Sequence, residues 1–247
     1  VLATPPMIRA VQINRASLAF DQALAAPAPA RPGAVETVLP LLRASADMAG
    51  GWQAVRLGRA YRELGDEAAA LQAWSRAPAE AVAHLNSRGD VHWRHGEQAN
   101  AETLYRLALR ASPTAGSLYR LARLVADDRP DEAVTLFRQA LAPAADLSDA
   151  ERSDAYLRLG QVFARRGDWL AAVASYDAGL AEQPQAGDLI VAKAQALAAL
   201  SGDAGQAEAV LTAGSASWPD SLPLYRALSA FYLERGQAAQ AQVVAVR

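Results

Sequence analysis

The chain has no cysteine and only one lysine, Lys193. The first absence excludes disulfides, thiol nucleophiles and thiolate metal sites, and leaves the compartment open. The second makes every other basic side chain an arginine, a codon bias that points to a GC-rich bacterial genome and not to a function. No apolar run approaches the ~18 residues of a membrane-spanning helix, so no membrane insertion is expected within this stretch. Twenty-four basic residues stand against 26 acidic ones, for a net charge of -2, so there is no basic footprint for nucleic acid. Neither a G-x-x-x-x-G-K-[ST] loop nor a G-x-G-x-x-G turn is present, and no segment alternates as a strand would. The three histidines are His84, His92 and His95. His92 and His95 lie three apart on one helical stretch, but no cysteine or carboxylate stands at ligand spacing to complete a metal shell, and His92 takes a packing position. Acidic pairs such as Asp127-Asp128 and Asp131-Glu132 sit at turns, where capping accounts for them. No nucleophile has a visible base and orienting group. Catalysis, cofactor and metal are therefore not expected.

What the chain does have is helical periodicity with punctuation. In Tyr156–Pro184, Tyr156, Leu159, Gly160 and Phe163 fall on one helix face. Gly167 suits the left-handed end of that helix and Asp168 the cap of the next. Ala172, Tyr176 and Gly179 make a second stripe, with Ala172 expected at a helix crossing, and Pro184 stops it. Two antiparallel helices with small residues at the crossing form a hairpin. These residues, Tyr156-x2-Leu159-Gly160-x2-Phe163, Ala172-x3-Tyr176 and Pro184, resemble the tetratricopeptide (TPR) pattern.

The pattern recurs at a period of about 34 residues. Its small and aromatic positions are Gly58, Tyr61 and Trp74; Gly89, His92 and Tyr105; Tyr119, Ala122 and Phe137; Ala194 and Leu211; and Tyr225, Ser229 and Tyr232. Turns are expected at Gly65, Gly96, DDRP, SGDAG and Gly236. Residues 1–50 read as a divergent first pair, with Ala34, Val38 and Leu41 on its second helix and Pro40 kinking or shortening it. Six TPR-like units then follow over 51–81, 82–115, 116–152, 153–186, 187–221 and an incomplete 222–247. The fold class expected is all-α, and the resemblance implies a right-handed superhelical solenoid of antiparallel helix pairs.

The resemblance also implies a concave groove lined by the first helix of each pair, and hence a non-catalytic scaffold that binds protein or peptide. The groove positions carry Arg56, Arg59, Arg62, Asn86, Asp90, Trp93, Arg94, Arg120, Arg158, Gln161 and Arg165. Recurrent arginines favour an acidic partner, because the guanidinium fork meets carboxylates bidentately. The alternative is a solvated face on which codon bias supplies the arginines. Trp93, one helical step from His92, is the expected groove anchor, the alternative being that it packs against the next pair. The family's carboxylate clamp maps onto Val55, Arg59, Ser87, Ser117 and Leu121, of which only Arg59 could serve, so a chaperone tail is not the expected partner.

The chain begins at Val1 and stops at QVVAVR, which reads as a fragment of a larger bacterial protein. Val243, Val244 and Val246 would then be partly uncovered, giving self-association through the last helix as a further expectation. Two other readings stay open: an accessory TPR domain of a membrane-anchored glycan-processing or exopolysaccharide-export protein, and an oligomerisation module. The compartment is cytoplasmic or extracytoplasmic. Val1-Leu2-Ala3 before Pro5-Pro6 leans towards the outer side of a membrane-anchored parent.

Overall fold

The computed structural model describes residues 5–143, 145–202 and 204–245. Fourteen helices and no strand are found among them, and no helix is long and apolar enough to cross a membrane. Two compact units, 1–113 and 114–247, divide the chain. The first holds α1 (Pro5–Ala25), α2 (Arg31–Ala49), α3 (Gly51–Glu63), α4 (Glu67–Trp74), α5 (Pro78–Arg94) and α6 (Gln98–Ala111). The second holds α7 (Ala115–Val125), α8 (Pro130–Ala140), α9 (Asp149–Arg165), α10 (Trp169–Glu182), α11 (Gly187–Ser201), α12 (Ala204–Ser217), α13 (Leu222–Glu234) and α14 (Ala238–Ala245). Successive helices pair as hairpins. The first helices of successive hairpins also touch: α1, α3 and α5 in the first unit, and α7, α9, α11 and α13 in the second. This is the all-α, TPR-like arrangement of antiparallel pairs.

Local chemistry explains the hairpin turns. After α9 the backbone N–H of Gly167 donates to the Ala164 carbonyl and that of Asp168 to the Phe163 carbonyl, at 2.9 and 3.0 Å. That pair of bonds is a Schellman ending and needs a left-handed residue, which Gly167 supplies at φ 76°. The Asp168 side chain then accepts from the Ala171 N–H at 3.1 Å, starting α10. Gly65-Asp66 repeats the device between α3 and α4, with Asp66 accepting from Ala69 at 3.0 Å. Where the hairpin link is longer, Ser148 and Glu151 form a capping box at the head of α9.

Packing explains the glycines inside helices. A Cβ built on Gly58 would overlap the Trp74 ring, one on Gly89 the Tyr105 ring, and one on Gly160 the Tyr176 ring. Each small residue on a first helix thus seats the aromatic found sixteen positions later on the second. Ala122 and Phe137, both fully buried, hold the corresponding place in the α7–α8 pair. Ala172 is likewise fully buried at its crossing.

The first pair differs from the sequence reading in two respects. Helix α2 continues past Pro40 to Ala49, so the proline does not shorten it. Pro40 and Glu36 are both exposed, so the Glu36 carbonyl that loses its N–H partner faces water and the helix need not end. The buried stripe of α2 is Val35, Leu42, Ser45 and Ala46, and Leu41 points outward at 39% exposure. The stripe drifts because it packs on Phe20 and Ala23 of α1 and on Leu57 and Ala60 of α3 together. At the other end Val243 is exposed and Val244 packs on the Leu228–Ala241 cluster. Val1, Leu2, Ala3 and Val246 lie outside the described residues.

Candidate functional site

In the first unit, Trp52, Val55, Arg56 and Arg59 recur at i, i+3, i+4 and i+7 along α3, so one face of that helix carries an indole and two guanidiniums. With Phe20 and Asp21 of α1 and His84 of α5 they line a cleft of about 270 Å³. The Arg59 guanidinium carbon lies 5.8 Å from the centroid of Phe20. Trp52, 53% exposed, meets His84 edge-on with ring centroids 6.3 Å apart and planes at 85°.

The electrostatics of this face are unbalanced. Among the described residues, Arg56, Arg59, Arg62 and Arg88 make no ion pair, and the buried Nε of Arg88 has no hydrogen-bond partner. Burial, then the charge of Arg88, lowers the pKa of both Arg59 and Arg62. Glu63 offsets part of this for both, and Asp21 for Arg59 alone. His84 is pushed down to about 4, first by burial and then by Arg59, Arg88 and Arg62.

This gives a pH dependence with a definite sign. A histidine kept neutral in the fold binds fewer protons than the unfolded chain between pH 6.5 and about 4. Stability contributed by the neutral ring is therefore complete above pH 6.5 and falls as the pH drops towards 4. The ceiling is about 3 kcal/mol, from about 1.4 kcal/mol per pKa unit, and the ring's partial exposure reduces it. Urea titrations at several pH values should show a steeper loss below pH 6.5 in the wild type than in His84→Gln. Parallel curves for the two proteins would rule this out.

The other residues expected in the groove fall into different settings. Asn86 is buried, only 8% exposed, and does not line an open face, because α5 turns it inward beside Leu85. Asp90 accepts a 2.7 Å bond from the Tyr105 hydroxyl, and its carbonyl receives Arg94 Nε at 3.2 Å. Trp93 is 36% exposed, one step round α5 from His92. His92 itself meets Glu97 at 2.5 Å across the Gly96 turn, a carboxylate that helical spacing could not reveal because the chain folds back there. Among the described residues no group of three or more histidines and carboxylates could hold a metal. Of the clamp positions, Val55, Ser117 and Leu121 are buried.

In the second unit the three arginines expected in the groove are compensated. Arg120 pairs with Glu151 at 3.5 Å, Arg158 with Asp154 at 2.6 Å, and Arg165 with Asp127 at 3.2 Å. Asp154 also accepts from the Tyr119 hydroxyl at 2.6 Å; burial, then this bond, pushes that phenol up to about 12. Arg165 donates in addition to the Ala126 carbonyl at 3.1 Å. Gln161 and Arg165 line a cleft between α9 and α11. An arginine-rich stripe runs along both units in sequence; the charges of Arg120, Arg158 and Arg165 are shared with carboxylates, and those of Arg56, Arg59 and Arg62 are not.

Sequence reasoning missed Trp52, His84 and Arg88. Extending the Arg56–Arg59 face back one turn reaches Trp52, and reading α5 at i, i+4 links His84 to Arg88, so both signals were present.

No protein-family model matches the chain, and no curated protein matches it. Solved structures do. It is similar to a tetratricopeptide repeat protein from Parabacteroides merdae, at 18% identity and a TM-score of 0.54 over 78% of this chain and 76% of that one. YrrB, described as a TPR protein with an unusual peptide-binding site, matches at 16% identity and a TM-score of 0.51, over 75% of this chain and 96% of its own. A chain of the APC/C hetero-tetramer Cut9–Hcn1 matches at 15% identity and a TM-score of 0.50; 80% of this chain aligns with 39% of that one. At these identities the likeness is one of fold.

Proposed function

We propose that this TPR-like array is a non-catalytic scaffold that binds an acidic segment of a partner protein on the α3–α5 face of its first unit. The observation that carries the reading is the cluster of Arg56, Arg59, Arg62 and Arg88, none of them in an ion pair among the described residues. Clustered guanidiniums repel one another, and an arriving carboxylate relieves that repulsion while accepting two bonds at once. Trp52 adds a large, half-exposed aromatic surface, the composition of an interface hot spot. The fold supports the reading in general terms, since YrrB is described as having a peptide-binding site.

Fluorescence polarisation with labelled, blocked octapeptides tests it. An alternating Asp-Glu peptide is expected to bind, more weakly as salt rises, and a Ser-Gly peptide not to bind. Arg59→Glu/Arg62→Glu should weaken the acidic peptide at least tenfold, and Arg158→Glu/Arg165→Glu should leave it within about twofold, since exposed rim charges contribute little. Equal binding of both peptides, or an unchanged affinity in the first variant, overturns the reading.

A second reading is self-association through the last hairpin. Leu222, Leu233 and Val243 are each more than half exposed there, and Leu222 and Leu233 line a cleft of about 600 Å³ with Val244. Sedimentation velocity should then show a dimer that Leu233→Glu dissociates; a wild-type monomer at high concentration excludes it.

A further inference from the structure

The aromatic that each hairpin seats on its glycine carries a polar tip, and in two cases the tip is satisfied within the fold. The Trp74 indole N–H donates to the Val55 carbonyl at 3.2 Å, and the Tyr105 hydroxyl to Asp90 Oδ1 at 2.7 Å. Tyr176 breaks the series. It is only 2% exposed, and its hydroxyl has no hydrogen-bond partner among the described residues. The cause lies in one substitution within the repeat. Asp90 follows Gly89, whereas Gln161 follows Gly160, and Gln161 extends outward instead of meeting the phenol.

The Tyr176 side chain lines the cleft of about 230 Å³ between α9 and α11, together with Gln161, Arg165, Trp169, Gln195 and small alanines. Arg165 is already held by the Ala126 carbonyl and Asp127. Burial pushes the phenol up to about 12, against the opposing charge of Arg165, so at neutral pH it is a protonated donor. Beside Arg165, whose charge is already shared with Asp127, the groups that converge on the cleft are uncharged: a phenol O–H without a protein acceptor, and two carboxamides that each offer a donor and an acceptor.

We infer that this cleft is a main-chain reader, in which one peptide group of a bound polypeptide accepts from the Tyr176 hydroxyl and exchanges hydrogen bonds with Gln161 and Gln195. A peptide group has the one acceptor and one donor that this set complements, and Trp169 with the alanines leaves room beside it for a small side chain. Anchoring one unit by side-chain charge and the other by backbone amides would let the scaffold hold an extended segment with little demand on sequence away from the acidic stretch. The inference rests on the reading of this chain as a polypeptide-binding scaffold.

The test needs no native partner. N-acetyl-L-alanine methylamide is titrated into the protein, and the side-chain amide signals of Gln161 and Gln195 are followed by NMR. A saturable shift in the millimolar range is expected, with Tyr176→Phe weakening it about fivefold and Gln161→Leu reducing the response at Gln195. Tyr176→Phe should fold as the wild type does, because its hydroxyl bonds to nothing in the protein. Sodium acetate, the carboxylate arm, should produce a weaker response. No saturable shift, the same affinity in Tyr176→Phe, or an equal response to acetate each overturns the inference. Arg59→Glu/Arg62→Glu should leave the blocked alanine unaffected, and Tyr176→Phe should leave the Asp-Glu peptide unaffected, so the two sites can fail separately.

Discussion

Trp74→Ala should lose roughly 3–5 kcal/mol of folding stability, as deletion of a fully buried large aromatic does. The indole is 1% exposed, rests on the bare backbone of Gly58, and satisfies the Val55 carbonyl through its N–H. Truncation leaves a cavity under α3 and removes a second donor from the Val55 carbonyl, which keeps its bond within the helix, so the cavity carries most of the loss. Trp93→Ala is the control. At 36% exposure it should cost under about 1 kcal/mol of stability, typical of a surface change. Urea titrations of both variants make the comparison directly. A loss below about 1 kcal/mol for Trp74→Ala would show that the pair does not depend on this contact, and a loss above about 3 kcal/mol for Trp93→Ala would place that residue in the core.

Gly160→Val is expected to cost roughly 2–3 kcal/mol, against the direction of helix propensity. Valine is a better helix former than glycine, so an exposed site would gain. At position 160 the new Cβ would overlap the Tyr176 ring, and either the ring leaves its rotamer or α9 and α10 separate. The cause can be isolated with a double-mutant cycle. In a Tyr176→Leu background the same Gly160→Val change should cost at least about 1 kcal/mol less, because the smaller side chain can yield. Additive losses in the cycle would falsify the contact as the origin of the glycine requirement.

The repeat was legible because its signals are local. Helical periodicity, a glycine that closes one helix and an aspartate that opens the next all act within a few residues. Gly167-Asp168 could therefore be read as a turn, and it adopts the left-handed ending that the reading requires. That Gly160 sits at a close contact was equally readable, but the sequence reading assigned it to the approach of two backbones, and the structure presses the Tyr176 ring against it. The α2 stripe was not readable to within one position. Its burial is decided by two neighbours, α1 and α3, whose directions no local pattern contains.

The site divides in the same way. That arginine recurs on the first helices is a property of the chain alone. Which arginines keep an unshared charge is partly a property of the fold: Arg158 meets Asp154 one turn away on its own helix, but other pairs need carboxylates brought in from positions distant in sequence. Asp127 reaches Arg165 and Glu151 reaches Arg120 only through packing of α9 on the preceding pair. Packing of α1 and α5 on α3 likewise brings Phe20 and His84 to Trp52 and Arg59. By itself, then, the sequence determined the helix pairs, their turns and the small and aromatic positions that recur in them, all set by interactions of short range. Only the tertiary structure decided how the charges of Arg120 and Arg165 are cancelled and that the Tyr176 hydroxyl meets no acceptor, because both depend on how separate helices face one another, as those carrying Arg120 and Glu151 do.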